Sequence, residues 1–142
     1  MEIGDLPAVL AIERVSFSNP WNELTFRGEI QNKNISFPLV AVHATENTII
    51  GYIMFWAVKD DVQINNIAVD ASFRRHGIAE SMVRNVLESV RNSGAAFVSL
   101  EVRFSNAAAR ALYAKLGFRP ISIRKNYYTN PNEDAVVMGL HL

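Results

Sequence analysis

A short basic stretch, RRHGIA at residues 74–79, directly precedes a segment with helical periodicity. Backbone N–H groups at a helix N-terminus lack intrahelical partners, and together with the helix dipole they favour an anion. A glycine at the start of the helix lets an anion approach the backbone closely. The segment is neither the GxxxxGK loop of nucleoside triphosphatases nor the dinucleotide GxGxxG motif. Its candidate phosphate-binding residues are Arg74, Arg75, His76, Gly77, Ile78 and Ala79, although basic residues before a helix are commonly only solvated.

A carboxylate, an amide and a phenol follow this turn along the chain. Glu101 lies near the end of an alternating strand-like segment, on the face opposite the apolar residues, where open α/β sheets bind ligands. Asn106 and Tyr113 are seven residues apart, which places them on nearly the same face of a helix. Each also has an ordinary structural interpretation, namely a salt bridge such as Glu101–Arg103, a helix cap and a core aromatic. Together they favour a site that combines an acid, a base and an anion-binding turn.

Composition excludes several other classes of function. The chain has no cysteine and only three scattered histidines, which excludes thiol chemistry and disulfides and disfavours a metal site. Lys plus Arg and Asp plus Glu both number 14, so no overall charge attracts nucleic acid or anionic lipid. The start lacks a signal-peptide pattern, and the longest apolar run, 49–58, is about half a membrane span. We expect a cytoplasmic protein without metal, nucleic-acid or membrane binding.

The elements that must position these residues can be read from the periodicity. With 142 residues and no linker or repeat, the chain is predicted to form one domain. Asp5, followed by Pro7, is predicted to cap a first helix, and Asn22 a second helix with Leu24, Phe26 and Ile30 as buried positions. Segments 38–44, 49–58 and 62–69 are rich in β-branched and aromatic residues and predict three strands.

The second half of the chain predicts a crossover and two final strands. Apolar residues at a 3-4 spacing from Ala79 to Val90 predict an amphipathic helix that ends near Ser93-Gly94. A strand at 96–102 follows, so a right-handed crossover should join two parallel strands. A helix from Asn106 to Gly117 comes next, and then strands at 119–124 and 134–140 joined by a polar loop. The predicted class is α/β with a mixed sheet.

The stretches NIAVDASFRRHGIAESMV (66–83) and LEVRFSNAAARALYAKLGF (100–118) resemble the GNAT superfamily of acetyl-CoA-dependent N-acetyltransferases. Arg74-x-x-Gly77-x-Ala79 matches the Q/R-x-x-G-x-G/A pyrophosphate motif of that superfamily. The resemblance implies the GNAT fold over residues 1–142, with a mixed, mostly antiparallel central sheet that is splayed at the cofactor site and flanked by helices. It also implies acetyl-CoA as co-substrate and no metal.

The resemblance further implies roles for individual residues. The backbone of Ile67, Ala68 and Val69 would bind the pantetheine arm and the acetyl carbonyl, and Asn106 would contact the pantetheine. The segment from Arg75 to Glu80 would wrap the pyrophosphate. Tyr113 would be the general acid toward the leaving thiolate, and Glu101 the general base, directly or through water.

Within the superfamily, the second stretch together with RKNYY (124–128) and EDAVVM (133–138) looks most like the RimI branch. That branch acetylates the N-terminal alanine of the eighteenth small-subunit ribosomal protein, so the implied partner is the N-terminal segment of a ribosomal protein. Tyr127 and Tyr128, expected in a polar loop, suit the binding of a peptide. We expect a monomer or weak dimer. Acetylation of another N-terminus, a lysine or a small amine is an alternative, as is a non-catalytic acetyl-CoA-binding module.

Overall fold

The computed structural model describes residues 1–142. Two short 3-10 turns occur at Ile3–Asp5 and Ala71–Phe73. The helices and strands are, in chain order, α1 (Leu6–Ser16), α2 (Glu23–Gln31), β1 (Ser36–Val42), β2 (Ile49–Val58), β3 (Asp61–Val69), α3 (Ile78–Asn92), β4 (Phe97–Arg103), α4 (Ala107–Lys115), β5 (Arg119–Tyr128) and β6 (Glu133–His141). None of the helices combines the length and the apolar character needed to span a bilayer.

The six strands form one mixed sheet in the order β1-β2-β3-β4-β6-β5. Only β3 and β4 are parallel, and helix α3 connects them, as the sequence predicted. Their pairing runs from Asp61–Phe97 to Ile64–Leu100 and stops there. At this point the register between β2 and β3 also shifts, which leaves Asn65 as an extra, bulged residue of β3. The ends of β3 and β4 therefore separate, and the splayed sheet expected from the resemblance is confirmed.

Two apolar layers hold helices against opposite faces of this sheet. The larger layer lies between the sheet and helices α3 and α4, and α3 contributes Met82, Val83, Val86, Leu87 and Val90. The smaller layer lies under α1 and α2 and contains Leu6, Val9, Leu10, Ile12, Phe26 and Tyr52. Burying one such side chain typically stabilises a fold by about 1.5–3 kcal/mol. This packing fixes the helix ends that surround the separated strands.

Some local predictions were correct and others were wrong. Asn22 caps α2 by accepting a hydrogen bond from the Thr25 N–H at 2.9 Å, as predicted. The Asp5 side chain does not cap α1, because it accepts from the Glu2 N–H at 2.7 Å instead. Of the three α2 positions predicted to be buried, Phe26 is fully buried and Ile30 packs partly buried against the same cluster, whereas Leu24 is 78% exposed.

The last two strands are longer than the sequence indicated. Tyr127 and Tyr128 lie in β5 and not in the predicted polar loop. A register shift between Arg124 and Tyr128 lets the strand continue, with Asn126 in a left-handed conformation at φ 52°. A polar RKNYY segment gives no sign of such a bulge, so the sequence predicted a loop there.

Candidate active site

The site is built around the gap between β3 and β4. One wall is the stretch of β3 from the bulge at Asn65 to Val69, and the other is the end of β4 from Glu101 to Arg103. The turn before α3 follows the first wall, and α4 follows the second. This is the carboxyl end of the only parallel pair, where open sheets offer a crevice.

The turn before α3 presents backbone donors without partners. The N–H groups of Arg75, His76 and Gly77 donate to no group of the protein, and no side chain caps α3. Arg75 and Gly77 are both left-handed, at φ 66° and 73°. A Cβ added at Gly77 would meet nothing within 4 Å, so the space beside this residue is open. Free N–H groups and a helix dipole make this turn suitable for a phosphate group.

Several side chains of the predicted cofactor segment are engaged within the protein. Arg74 donates from Nε to the Val69 carbonyl and from Nη2 to the Ser16 hydroxyl, both at 3.2 Å. Glu80 pairs with Lys115 at 2.7 Å and with Arg84 at 3.0 Å, and these contacts lower its pKa. The side chains of Arg74 and Glu80 therefore stabilise the turn, and the groups of these residues that remain for a ligand are mainly those of the backbone.

The Glu101 carboxylate forms its salt bridge with Arg124 of β5, at 2.6 Å, and not with Arg103. The interaction with Glu101 raises the pKa of Arg124. The Glu101 side chain is only 15% exposed, whereas that of Arg124 is 54% exposed and stacks on the Tyr127 ring, 4.6 Å from its centroid. Interaction with the same carboxylate raises the pKa of Tyr127. Glu101 is thus an oriented carboxylate with a cation on one side.

Tyr113 is a buried phenol on α4. Its ring packs edge-on against Phe118 with centroids 5.8 Å apart, and its hydroxyl has no hydrogen-bond partner in the protein. Burial raises its pKa to about 12, so the phenol is protonated at neutral pH. Asn106 is the N-cap of the same helix, with Oδ1 accepting from the Ala109 N–H at 3.1 Å. The Oδ1 of Asn106 is therefore engaged in the helix cap, and its Nδ2 remains available as a donor to a ligand.

Tyr128 is a partly buried phenol at the end of β5. Burial raises its pKa to about 12, and interactions with Glu101, Tyr127 and Tyr113 add to the shift. Its ring lies 5.1 Å from that of Tyr127. The structure thus brings Glu101, Arg124, Tyr127 and Tyr128 into one connected cluster.

The sequence did not reveal a clasp between the α1–α2 loop and the β5–β6 loop beside these tyrosines. The Arg103 guanidinium stacks on Tyr128 and donates to the Ser18 hydroxyl at 3.3 Å and to the Thr129 carbonyl at 3.1 Å. Asn19 also donates to Thr129, at 3.0 Å to its carbonyl and 2.8 Å to its hydroxyl. Asn19 and Thr129 are 110 residues apart, so no local pattern could indicate the contact. Nowhere do three or more His, Asp or Glu side chains form a group that could hold a metal ion.

Comparison with known proteins identifies the family. The model of the acetyltransferase (GNAT) family matches residues 6–118. The chain belongs to this family. It is therefore an acetyl-CoA-dependent N-acetyltransferase, as the resemblance of the two sequence stretches implied.

Individual relatives are similar along almost the whole chain. The ribosomal protein bS18-alanine N-acetyltransferase of Escherichia coli K12 is 37% identical over 143 aligned positions, which cover 99% of this acetyltransferase and 93% of the relative. The crystal structure of the ribosomal-protein-S18-alanine N-acetyltransferase from Escherichia coli superposes with a TM-score of 0.90 at 34% identity, over 99% and 90% of the two chains. A chain of the NatC complex bound to Gag peptide and CoA superposes at 0.81 over 99% and 90%, but at 24% identity this likeness shows the fold alone.

Proposed function

We propose that this acetyltransferase transfers the acetyl group of acetyl-CoA to the α-amine of a protein, the N-terminal alanine of the eighteenth small-subunit ribosomal protein. The relatives named for that reaction are similar over nearly their full length. The observation that carries the proposal is the presence of an oriented carboxylate, Glu101, on β4 and of a buried, protonated phenol, Tyr113, on the helix that follows it. We place this one-domain protein in the cytoplasm, where ribosomal proteins are made.

Three features of the site fit acetyl-CoA. The uncapped N-terminus of α3, with Gly77, fits the pyrophosphate. The backbone of Ile67 to Val69 pairs with β2 on one side only, and its other edge fits the amides of the pantetheine arm, with Asn106 as a side-chain donor. The Nδ2 of Asn65, buried at the bulge without a partner, fits a ligand oxygen in the gap, because an unsatisfied buried donor is unfavourable by about 1–3 kcal/mol.

Individual residues of the site then have proposed roles in the acetyl transfer. Acetyl-CoA supplies a thioester, so no nucleophile is required of the protein. Glu101 accepts a proton from the attacking amine, directly or through water, and its pairing with Arg124 orients the carboxylate. Tyr113 donates its proton to the leaving thiolate, which the raised pKa of the phenol permits at neutral pH. General acid–base steps typically contribute about 10²–10⁴-fold to a rate.

The chemistry of the amine favours a protein N-terminus. An α-amino group has a pKa of about 7.7–8.0, against about 10.4 for lysine. At pH 7, roughly one α-amine in ten is neutral, but fewer than about one lysine in a thousand. A single carboxylate such as Glu101 is therefore an adequate base for an α-amine. Tyr127 and Tyr128, next to this carboxylate, are proposed to contact the first residues of the peptide.

Peptides that begin with alanine, serine or lysine test the proposal when incubated with acetyl-CoA and mapped by mass spectrometry. We expect α-amine acetylation of the alanine peptide and none of the same peptide with a blocked N-terminus. Acetylation confined to lysine side chains, or turnover of small amines without any peptide, would contradict it.

Two substitutions then test the roles of the site residues. Glu101→Gln and Tyr113→Phe should each lower kcat by about 10²-fold or more while the thermal unfolding temperature stays close to that of the wild type. Neither change removes apolar packing, so stability serves as the internal control. Unchanged turnover in both variants would contradict the roles proposed for Glu101 and Tyr113, whereas acetyl-CoA binding by the wild type without acetylation of any amine would support a non-catalytic acetyl-CoA-binding module.

A further inference from the structure

Glu13 is a buried carboxylate on the core side of α1, only 1% exposed. A buried carboxylate is unfavourable unless hydrogen bonds compensate for its lost hydration. Oε1 accepts from the Tyr52 hydroxyl of β2 and from Asn66 Nδ2 of β3, the latter at 2.8 Å. Oε2 accepts from the backbone N–H of Trp21 at 2.9 Å. One carboxylate therefore joins two strands and the α1–α2 loop.

The contact with β3 falls on the stretch that has lost β4 as a neighbour. Asn66 follows the bulge directly, beyond the last β3–β4 pair at Ile64. Helix α1 holds the far end of this stretch as well, because the Ser16 hydroxyl accepts from Arg74, which also donates to the Val69 carbonyl. Glu13 and Ser16 are three residues apart and so share one face of α1. Polar contacts from α1 thus support β3 where strand pairing is missing.

The contact with Trp21 falls on the loop that forms one half of the clasp. Residues of this loop, Ser18 and Asn19, reach Arg103 and Thr129 beside Tyr128. The Trp21 N–H is the loop's hydrogen bond into the core, at the point where the chain enters α2. Movement of Trp21 would therefore shift the loop on the peptide side of the site.

We propose that Glu13 is a positioning residue, which holds the cofactor edge of β3 and the α1–α2 loop in a fixed relation to each other. The inference rests on the proposed function for the roles of these two segments. Glu101 and Tyr113 belong to β4 and α4 and make no bond to Glu13. Loss of the carboxylate should therefore weaken the binding of both substrates and leave the chemical step largely intact.

The double variant Glu13→Leu/Tyr52→Phe separates positioning from stability. It removes the carboxylate together with the one donor that belongs to neither segment, so fewer buried groups are left unsatisfied. We expect the KM for acetyl-CoA and the KM for the peptide each to rise about tenfold, with kcat within about threefold of wild type. Tyr52→Phe alone is the matched control. Glu13→Gln is the conservative variant, because its amide oxygen can still accept from the Trp21 N–H and its Nε2 can donate to the Asn66 amide oxygen once that amide is reversed. Both should keep each KM within about threefold of wild type.

Each deviating outcome overturns the inference. A folded double variant with both KM values unchanged would do so, as would a rise in only one KM or a fall in kcat alone. If the double variant does not fold, Asn66→Ala provides the second measurement, with an expected loss of CoA affinity in calorimetry and an unchanged peptide KM. Calorimetry with CoA needs no peptide, so a wild-type chain that acetylates no peptide refutes the proposed function while Glu13 is still tested through β3.

Discussion

The buried phenol of Tyr113 has the properties that its proposed role as proton donor requires. Its hydroxyl has no hydrogen-bond partner in the protein, and desolvation raises its pKa to about 12. A phenol that neither donates to nor accepts from the protein keeps its proton for an incoming group. Glu101 has a different environment, because its carboxylate contacts the Arg124 guanidinium at 2.6 Å and is oriented by it. These two environments fit the proposed roles of Tyr113 as the acid and Glu101 as the base.

The dependence of activity on pH should follow from these assignments. For a peptide that begins with alanine, kcat/KM should rise from pH 6 to about pH 8 as the α-amine loses its proton, and then level off. Burial raises the pKa of Tyr113, so the phenol stays protonated, and no descending limb is expected below about pH 10. Stopped-flow or endpoint assays across this range measure the profile.

A matched variant and a stability measurement complete the pH experiment. Tyr113→Phe should keep the ascending limb, which belongs to the substrate amine. A descending limb between pH 8 and 10 that disappears in this variant would contradict the assignment. Because the folded-state pKa of Tyr113 and Tyr128 is raised to about 12, their favourable contribution to folding is complete below about pH 10 and is lost between pH 10 and 12.

At the scale of elements, two substitutions in the turn from β3 into α3 distinguish binding of acetyl-CoA by backbone N–H groups from binding by side-chain charge. Gly77→Val should lower acetyl-CoA affinity about tenfold or more, because a β-branched residue at φ 73° is strained and places atoms in the open space beside the free N–H groups. Arg74→Ala should lower it less, since that side chain already donates to Val69 and Ser16. Calorimetry compares the two variants.

Gly94 supplies the control for backbone strain. It follows the other end of α3, has φ 90°, and a Cβ there would also meet nothing within 4 Å. Gly94→Val should lower the unfolding temperature in a similar way without changing acetyl-CoA affinity. Equal affinity losses in Gly77→Val and Arg74→Ala would refute the backbone account.

Elements with a local signature were predictable from the sequence. The 3-4 spacing in α3 and the alternation in β4 identified both the elements and their buried faces, and Asn22 and Asn106 marked two helix starts. The turn, the carboxylate and the phenol could be proposed as site residues from the sequence because each lies near an end of such an element. The order of elements also indicated the parallel β3–β4 pair.

What remained unpredicted depends on contacts between distant parts of the chain. β5 continues to Tyr128 only because β6 pairs with it across a bulge. Arg103 donates hydrogen bonds to Ser18 in the α1–α2 loop and to Thr129 in the β5–β6 loop. Glu13 looked like one polar residue in an amphipathic helix, yet its three donors come from residues 8, 39 and 53 positions away. Helical periodicity does not distinguish a solvated glutamate from a buried one.

At the scale of the whole molecule, β3 and β4 are the neighbouring strands of the sheet that share the fewest residue pairs. β3 and β4 share only four residue pairs, whereas β2 and β3 share eight. Apolar layers on both faces keep the sheet together, so the gap can persist without loss of the fold. The backbone groups that the two strands do not offer each other are then available to a ligand of extended shape.

Hydrogen exchange can detect this use of the sheet. In the free protein, amides of residues 65–69 that point away from β2 should exchange faster than those of residues 61–64, which pair with β4. Acetyl-CoA should slow exchange in residues 65–69 and in the turn at 75–79, because its pantetheine and pyrophosphate groups accept hydrogen bonds from these amides. Amides of β1, which lie on the far edge of the sheet, are the internal control and should not change. If acetyl-CoA protects the turn but not residues 65–69, the gap between the strands is not the pantetheine site.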